Sequence, residues 1–260
     1  MTPAEITVRG RPVGSVFGSF GKGVPGSVGL SFGTSGGPTC DKGCPYHPAS
    51  TAGPDAAPVA GRCYAARTER FRRAAGDRLA AFDDAGPEAV ARRAWHESAA
   101  RGHRFPWFRV SVFGGVPADP AAAPSLARLA WGLAAAGSPV HWPVETEAKR
   151  EAWAAVVPPE IAVRWSVPMG SDRWTTAAGP VSTVAGDPAA REPDRLAAAR
   201  AAAAARRAAT GRRCIVCPAV ASRIIRTAAA GRRTAGSPAA RCGSCRACSL
   251  PSVDVVFPLH

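Results

Sequence analysis

The chain has 260 residues, of which 46% are hydrophobic and 20% are charged. This balance predicts a folded chain, long enough for one large domain or for a domain with an appendage. Its apolar stretches are interrupted by Arg, Pro or Gly well before the roughly 18 residues that a membrane span needs, and the first residues lack the basic flank and apolar core of an export signal. We therefore expect a soluble, cytoplasmic protein with no membrane partner.

The formal net charge of +14 is typical of a protein with a polyanionic partner such as nucleic acid, because a basic surface releases counterions when it meets phosphates. Only three of the 33 basic residues are lysine, however, and the chain is rich in Ala, Gly, Pro and Arg. GC-rich coding sequence produces that composition. Genome bias together with solubility is therefore an equal explanation of the charge.

The predicted elements alternate between strands and helices along most of the chain. Short strands are expected at residues 15–20, 27–32, 107–113, 140–144, 161–167, 181–184, 214–216 and 253–257. Helices are expected at residues 65–82, 87–102, 124–136, 145–156 and 191–209. Such alternation predicts an α/β fold whose parallel sheet is either open and doubly wound or closed towards a barrel.

In either architecture, functional groups gather at the carboxyl ends of the strands. The first cysteines follow the strand at 27–32, and the Gly114–Gly115 turn follows the strand at 107–113. The order of the elements therefore predicts that both features lie on the same face of the domain. Glu145 follows the strand at 140–144, where a carboxylate either contacts substrate or caps the next helix.

Eight cysteines in a chain without an export signal predict metal or redox chemistry rather than disulfides. Three of them, Cys40, Cys44 and Cys63, form the first group. Three residues separate Cys40 from Cys44, and a Pro- and Gly-rich insert of 18 residues precedes Cys63. Three thiolates can hold a [4Fe-4S] cluster with one iron left open. The alternative is a closed zinc site of the three thiolates and His47.

The second group comprises Cys214, Cys217, Cys242, Cys245 and Cys248. A Cys-x2-Cys pair that faces a second such pair is a strong metal signal, and Cys-x2-Cys-x2-Cys is also the spacing of bacterial iron–sulfur loops. Zinc and a second cluster therefore both stay open. The preferred ligands are the last four of these cysteines, with Cys214 either spare or replacing one of them.

Several short motifs together resemble one enzyme family. A Cys-x3-Cys pair opens the loop after the first strand, Cys63 begins a Cys-Tyr-Ala segment, and the chain finishes with CGSCRACSLPSVDVVFPLH. These features resemble radical S-adenosylmethionine enzymes, and most closely a poorly characterised group of phage and prophage proteins. The resemblance covers nearly the whole chain.

The resemblance implies a partial βα (TIM-like) barrel over residues 1–210 and a cysteine-rich metal-binding segment over residues 211–260. The three cysteines of the first group would bind a [4Fe-4S] cluster, and S-adenosylmethionine would chelate its open iron. Gly114 and Gly115 would approach the methionine end of this cofactor, and Ser166 its ribose.

The family also carries an acidic residue just after its glycine motif. Val116 and Pro117 stand there in this chain, and Asp119 is the nearest acidic residue.

Two functions from different classes follow. The first is an iron–sulfur enzyme that cleaves its cofactor reductively, abstracts hydrogen from an unknown substrate and needs an external electron donor. The alternative is a zinc-stabilised nucleic-acid-binding protein of phage or mobile-element origin without catalytic activity. In that protein, arginines around the second cysteine group would contact phosphates.

Overall fold

The computed structural model describes residues 5–19, 26–34, 36–40, 73–112, 114–167, 171–185, 190–218 and 245–258. Cys44, His47, Cys63 and Cys242 lie outside these ranges. Within them, no helix combines the length and the apolar character that crossing a membrane requires.

The described elements follow the predicted alternation. The strands are β1 Thr7–Val8, β2 Arg11–Pro12, β3 Phe17–Ser19, β4 Val28–Leu30, β5 Phe108–Arg109, β6 Val140–Val144, β7 Val163–Val167, β8 Val181–Ala185, β9 Arg213–Val216 and β10 Val253–Pro258. The described α-helices are α1 Arg73–Ala85, α2 Pro87–Ala99, α3 Pro124–Ala135, α4 Glu147–Ala154, α5 Arg173–Thr176 and α6 Glu192–Thr210. Short 3-10 helices occupy Pro120–Ala122 and Ala247–Ser249.

Most of these strands belong to one sheet of eight, in the order β3-β4-β5-β6-β7-β8-β10-β9. All neighbours are parallel except β3 and β4, so the predicted α/β fold with parallel strands is confirmed. The described strands do not close into a barrel, because β3 and β9 each pair on one side only. β9 and β10 complete this sheet, so the boundary predicted at residue 210 falls inside one sheet.

The strands β4 to β8 are laid down in one direction, each beside the last. Right-handed crossovers then place every connecting helix on the same side of the sheet. The core agrees, since strand residues such as Leu30, Trp142 and Val163 are buried together with helix residues such as Phe82 and Leu129. We call this side of the sheet the helix face.

The opposite side carries polar side chains on its central strands, and we call it the polar face. Arg109 pairs with His141 across β5 and β6, and Ser166 pairs with Ser182 across β7 and β8. Towards β9 and β10 this face becomes apolar and packs against the segment 245–250, in a small second cluster that includes Val255 and Ala247. One sheet therefore separates a large apolar core from a largely polar surface.

The amino ends of the last strands are held by a buried ion cluster. Asp254 of β10 accepts from Arg206 Nε at 2.9 Å and from Arg212 Nε at 3.0 Å. Arg164 Nη1 lies 4.0 Å from the same carboxylate. The other terminal nitrogen of this side chain, Nη2, donates to Leu250 O at 3.0 Å. Asp254, Arg164 and Arg206 are all fully buried. The cluster thus connects α6, β7 and β10 at the amino ends of the strands.

One predicted strand needs correction. Strand β5 is much shorter than the predicted 107–113, because the backbone turns at Ser111, with φ 59°, and again at Gly114, with φ 62°. Of the predicted helix 65–82, the described residues 73–82 lie in α1. Two side chains are notable for their positions: Arg164 lies near the amino end of β7, and Trp131 is 56% exposed.

Candidate functional site

The chain that leaves the carboxyl end of β4 is fixed by a single carboxylate. Asp83 of α1 accepts hydrogen bonds from Thr34 N at 3.0 Å and from Thr34 Oγ1 at 2.6 Å. A Cβ on Gly33 or Gly37 would overlap with Asp83 Oδ1. Glycine at both positions therefore lets the backbone wrap around Asp83 on its way to Cys40.

The Gly114–Gly115 turn after β5 presses against this same stretch. A Cβ on Gly114 would lie 2.9 Å from Gly33 N and 3.0 Å from Gly33 O, and the positive φ of Gly114 also favours glycine. Ser111 Oγ donates to Gly114 O at 2.6 Å and stabilises the turn. The backbones at the ends of β4 and β5 thus meet with no space for a side chain between them.

Gly115 lies against the most polar part of this end of the sheet. A Cβ on Gly115 would lie 2.6 Å from Glu145 Oε1, 2.7 Å from Thr39 O and 2.9 Å from Lys149 Nζ. Lys149 Nζ donates to Thr39 O and to Glu145 Oε2, each at 3.1 Å. The Lys149 side chain is 2% exposed, whereas that of Glu145 is 19% exposed. A buried ammonium therefore holds the carbonyl group of the residue that precedes Cys40.

Local sequence explains how Glu145 and Lys149 reach each other. Glu145 directly follows β6, and Thr146 caps α4 by accepting from Lys149 N at 3.4 Å. The cap starts the helix at a fixed point, and the four-residue spacing places the two side chains on one side of it. The structure thus gives Glu145 a part in an ion pair beside Gly115, and the helix cap is Thr146.

The candidate residues of the first site fall as follows. The half-buried Cys40 lies at the end of the segment that meets the Gly114–Gly115 turn, so the two features share the carboxyl end of the sheet. Ser166 is exposed on β7, two strands along from β5. Asp119 caps the 3-10 helix at Pro120–Ala122 by accepting from Ala121 N at 2.8 Å.

The described cysteines of the second group are divided between the two faces of the sheet. Cys217, Cys245 and Cys248 line one small cavity on the side of the 245–250 segment. Cys214 is buried in the core of the helix face. Burial raises the pKa of the Cys214 thiol to about 11, and the nearby carboxylate of Asp254 adds to the effect.

No group of three Cys, His, Asp or Glu side chains within the described ranges is arranged to hold a metal ion. For the first site, only Cys40 of the three predicted cysteine ligands is among the described residues. The surroundings of Cys40 suit a bound group in two respects: the residue is only partly buried, and glycine backbone lies beside the carbonyl that precedes it.

Sequence reasoning missed a group of basic side chains on the polar face, two of which are buried. His141 is 8% exposed, and burial, followed by the positive charges of Arg109 and Arg164, holds its pKa well below the usual range. The sequence also gave no sign that Lys149 and Asp83 support the Cys40 segment. The Glu145–Lys149 spacing predicts an ion pair, but burial of that pair depends on strands that are distant in the chain.

Comparison of the chain with protein-family models, with curated proteins and with solved structures gives no match. The resemblance to radical S-adenosylmethionine enzymes therefore stays a prediction based on the motifs.

Proposed function

We propose that the chain is an iron–sulfur enzyme of the radical S-adenosylmethionine type, with its site at the carboxyl ends of β4, β5 and β6. One observation carries the proposal: the segment that leads to Cys40, the Gly114–Gly115 turn and the Glu145–Lys149 pair meet at this end of the sheet. Active sites of βα folds are built from the loops at that end.

The order of the strands supports the same proposal. Strands β4 to β8 progress in one direction with the helices on one side, which is the arrangement of part of a βα barrel. In a partial barrel the polar face of the sheet would form the inner surface. The exposed hydroxyl of Ser166 on that face would then line the route by which a cofactor or substrate enters.

Each residue has a defined part in this proposal. Cys40 would hold the cluster together with Cys44 and Cys63, and Lys149 would orient Cys40 through the carbonyl of Thr39. When bound, a [4Fe-4S] cluster with S-adenosylmethionine supplies reductive cleavage of the cofactor and hydrogen abstraction from the substrate. An external donor would provide the electron.

Glu145 supplies the carboxylate that the sequence lacks directly after the glycine pair. Its Oε1 atom faces Gly115, and its Oε2 atom is paired with Lys149. A partly exposed carboxylate at that position is able to accept a hydrogen bond from the ammonium group of an amino-acid ligand. We assign to Glu145 the role that the resemblance gives to the acidic residue of the glycine motif.

The test is anaerobic purification of the full chain, followed by iron, sulfide and zinc analysis and electron paramagnetic resonance of the reduced sample with and without S-adenosylmethionine. We expect iron and sulfide at the first site, and a signal that changes when the cofactor is added. Cys40→Ala should remove that signal, and Cys214→Ala, a matched change in the helix-face core, should keep it. Stoichiometric zinc with no iron would contradict the proposal.

A nucleic-acid-binding function is the second proposal, and the surface of α6 favours it. Arg200 and Arg207 are exposed on this helix, and Arg213 is exposed just beyond it. The measurement is fluorescence anisotropy with short DNA and RNA over a range of salt concentrations. Binding should weaken steeply as salt rises, and Arg200→Glu with Arg207→Glu should weaken it further. Absent or salt-insensitive binding would exclude this function.

A further inference from the structure

We propose that Cys217, Cys245 and Cys248 bind a single thiophilic metal ion of the zinc class, which fastens the segment 245–250 to the polar face of the sheet. This site is separate from the one at the carboxyl ends of β4 to β6. It does not depend on the enzyme proposal.

The three thiols come from two distant parts of the chain and reach one cavity. The ladder between β9 and β10 continues past the end of β9, because Cys217 N donates to Val256 O at 2.8 Å. Cys217 therefore lies on the same face as Ile215, which also lines the cavity. Cys245 and Cys248 also line the cavity. Cys248 belongs to the 3-10 helix Ala247–Ser249, and Cys245 lies just before that helix.

The size of the cavity matches one bound ion. Its volume is about 20 Å³, which is close to the space that one water molecule needs. A single ion bound by thiolates fits, and the lining of sulfur, Trp107 and aliphatic side chains suits a soft ligand set.

The described lining of the cavity offers sulfur as its metal ligand. It includes no carboxylate and no histidine, so the three cysteine side chains are the groups that can bind an ion there. Because these side chains do not yet form a metal geometry, binding would draw them together and order the segment.

The ion would add to an anchoring that hydrogen bonds already make beside β7. Arg164 Nη2 donates to Leu250 O at 3.0 Å and to Ala247 O at 3.4 Å, which secures the segment next to β7. A metal bound by Cys217 would secure the other side, next to β9. Segment 245–250 would then be fixed across the apolar part of the polar face.

Cys214 provides a matched control. It lies on β9, three residues before Cys217. It points into the helix-face core, pairs in register with Asp254 and is 2% exposed. Its thiol is thus on the wrong side of the sheet to reach the cavity.

The experiment titrates the metal-free full chain with Co²⁺ alone, under anaerobic conditions and in a background in which Cys40, Cys44 and Cys63 are Ser. We expect one Co²⁺ per chain, a sulfur-to-cobalt charge-transfer band and displacement by Zn²⁺. Cys217→Ser, Cys245→Ser and Cys248→Ser should each weaken binding by at least about tenfold, a loss that even supporting residues of metal sites produce. Cys214→Ser should bind as the background does.

Alkylation followed by mass spectrometry covers the case in which a variant fails to fold. In the same background, Zn²⁺ should protect Cys217, Cys245 and Cys248, and a chelator should expose them. Cys214 should stay unlabelled with and without metal. Equal loss of Co²⁺ binding in Cys214→Ser and Cys217→Ser, unchanged labelling on addition of Zn²⁺, or assembly of an iron–sulfide chromophore on these cysteines would each overturn the proposal.

Discussion

The two ends of the parallel sheet use charged residues in opposite ways. At the amino ends, Asp254 is fully buried, and both of its carboxylate oxygens accept hydrogen bonds, from Val181 N, Arg206 and Arg212. At the carboxyl ends, Glu145 stays partly exposed beside Gly115, and Asp83 Oδ1 is buried with no hydrogen-bond partner among the described residues. Both oxygens of the amino-end carboxylate are therefore satisfied, whereas the carboxylates at the carboxyl ends retain oxygen atoms that can still accept hydrogen bonds.

Under the enzyme proposal, this difference separates stability from function within one fold. A buried ion cluster whose members are all paired holds elements in place, and removing one member leaves uncompensated charge. A partly exposed carboxylate beside glycine backbone is the kind of group that can form a hydrogen bond with a bound ligand. In βα folds the amino ends of the strands serve stability and the carboxyl ends carry chemistry. The distribution of charge in this protein agrees with that division.

The largest effect is expected when the amino-end cluster is broken. Asp254→Ala leaves Arg206 and Arg164 buried without their carboxylate, and we expect it to lower the free energy of unfolding by about 3–5 kcal/mol. Urea denaturation measures this as a shift of the midpoint. The control is Asp194→Ala, which removes the exposed Arg191–Asp194 pair and should change stability by less than about 1 kcal/mol. Similar losses in both variants would contradict the contrast.

A methyl group at the carboxyl end tests the tight packing around Gly115. Gly115→Ala places a Cβ against Glu145, Thr39 and Lys149, so we expect a loss of about 1–3 kcal/mol from overpacking. Under the enzyme proposal it should also lower iron content, because Thr39 precedes Cys40. Gly14→Ala is the matched change, since a Cβ on Gly14 meets no atom within 4 Å. If Gly115→Ala is as stable as Gly14→Ala, the packing described here is wrong.

The pH dependence of stability tests the burial of His141 on the polar face. The pKa of His141 is well below the usual range in the folded protein, whereas it is about 6.5 in the unfolded chain. Below that pH, the imidazole of His141 is protonated in the unfolded chain and stays neutral in the folded protein. The free energy of unfolding should therefore fall by up to about 1.4 kcal/mol per pH unit as the pH drops from 6.5 towards the folded-state pKa. At pH values about one unit or more above 6.5, this residue should contribute almost no pH dependence.

His141→Gln is the control for that titration, because glutamine fills a similar space and does not ionise. Denaturation midpoints at pH 7.5 and pH 5.5 should differ less in His141→Gln than in the original protein. An identical pH dependence in the two proteins would remove His141 as its cause.

Much of the fold was predictable from local sequence. The strand at Val140–Val144 and the helices beginning at Pro87 and Pro124 agree with the prediction, because apolar periodicity and a proline in the first turn act within a few residues. The exposure of Trp131 follows from the same periodicity, because this residue lies off the stripe of Leu126, Leu129 and Leu133 that α3 buries. The hydrogen bond from Trp131 Nε1 to Val156 O at 3.2 Å was not predictable, because Val156 lies beyond the next strand and helix.

Sequence alone determined the α/β alternation, the grouping of the cysteines and the position of a glycine turn after a strand, since each depends on residues that are close in the chain. The tertiary structure decided which of those residues meet. Only strand order brings Lys149 to the carbonyl of Thr39, 110 residues away, and only the direction of side chains along β9 divides Cys214 from Cys217. Burial decides the charge state of His141, because the desolvation of a side chain depends on everything packed around it.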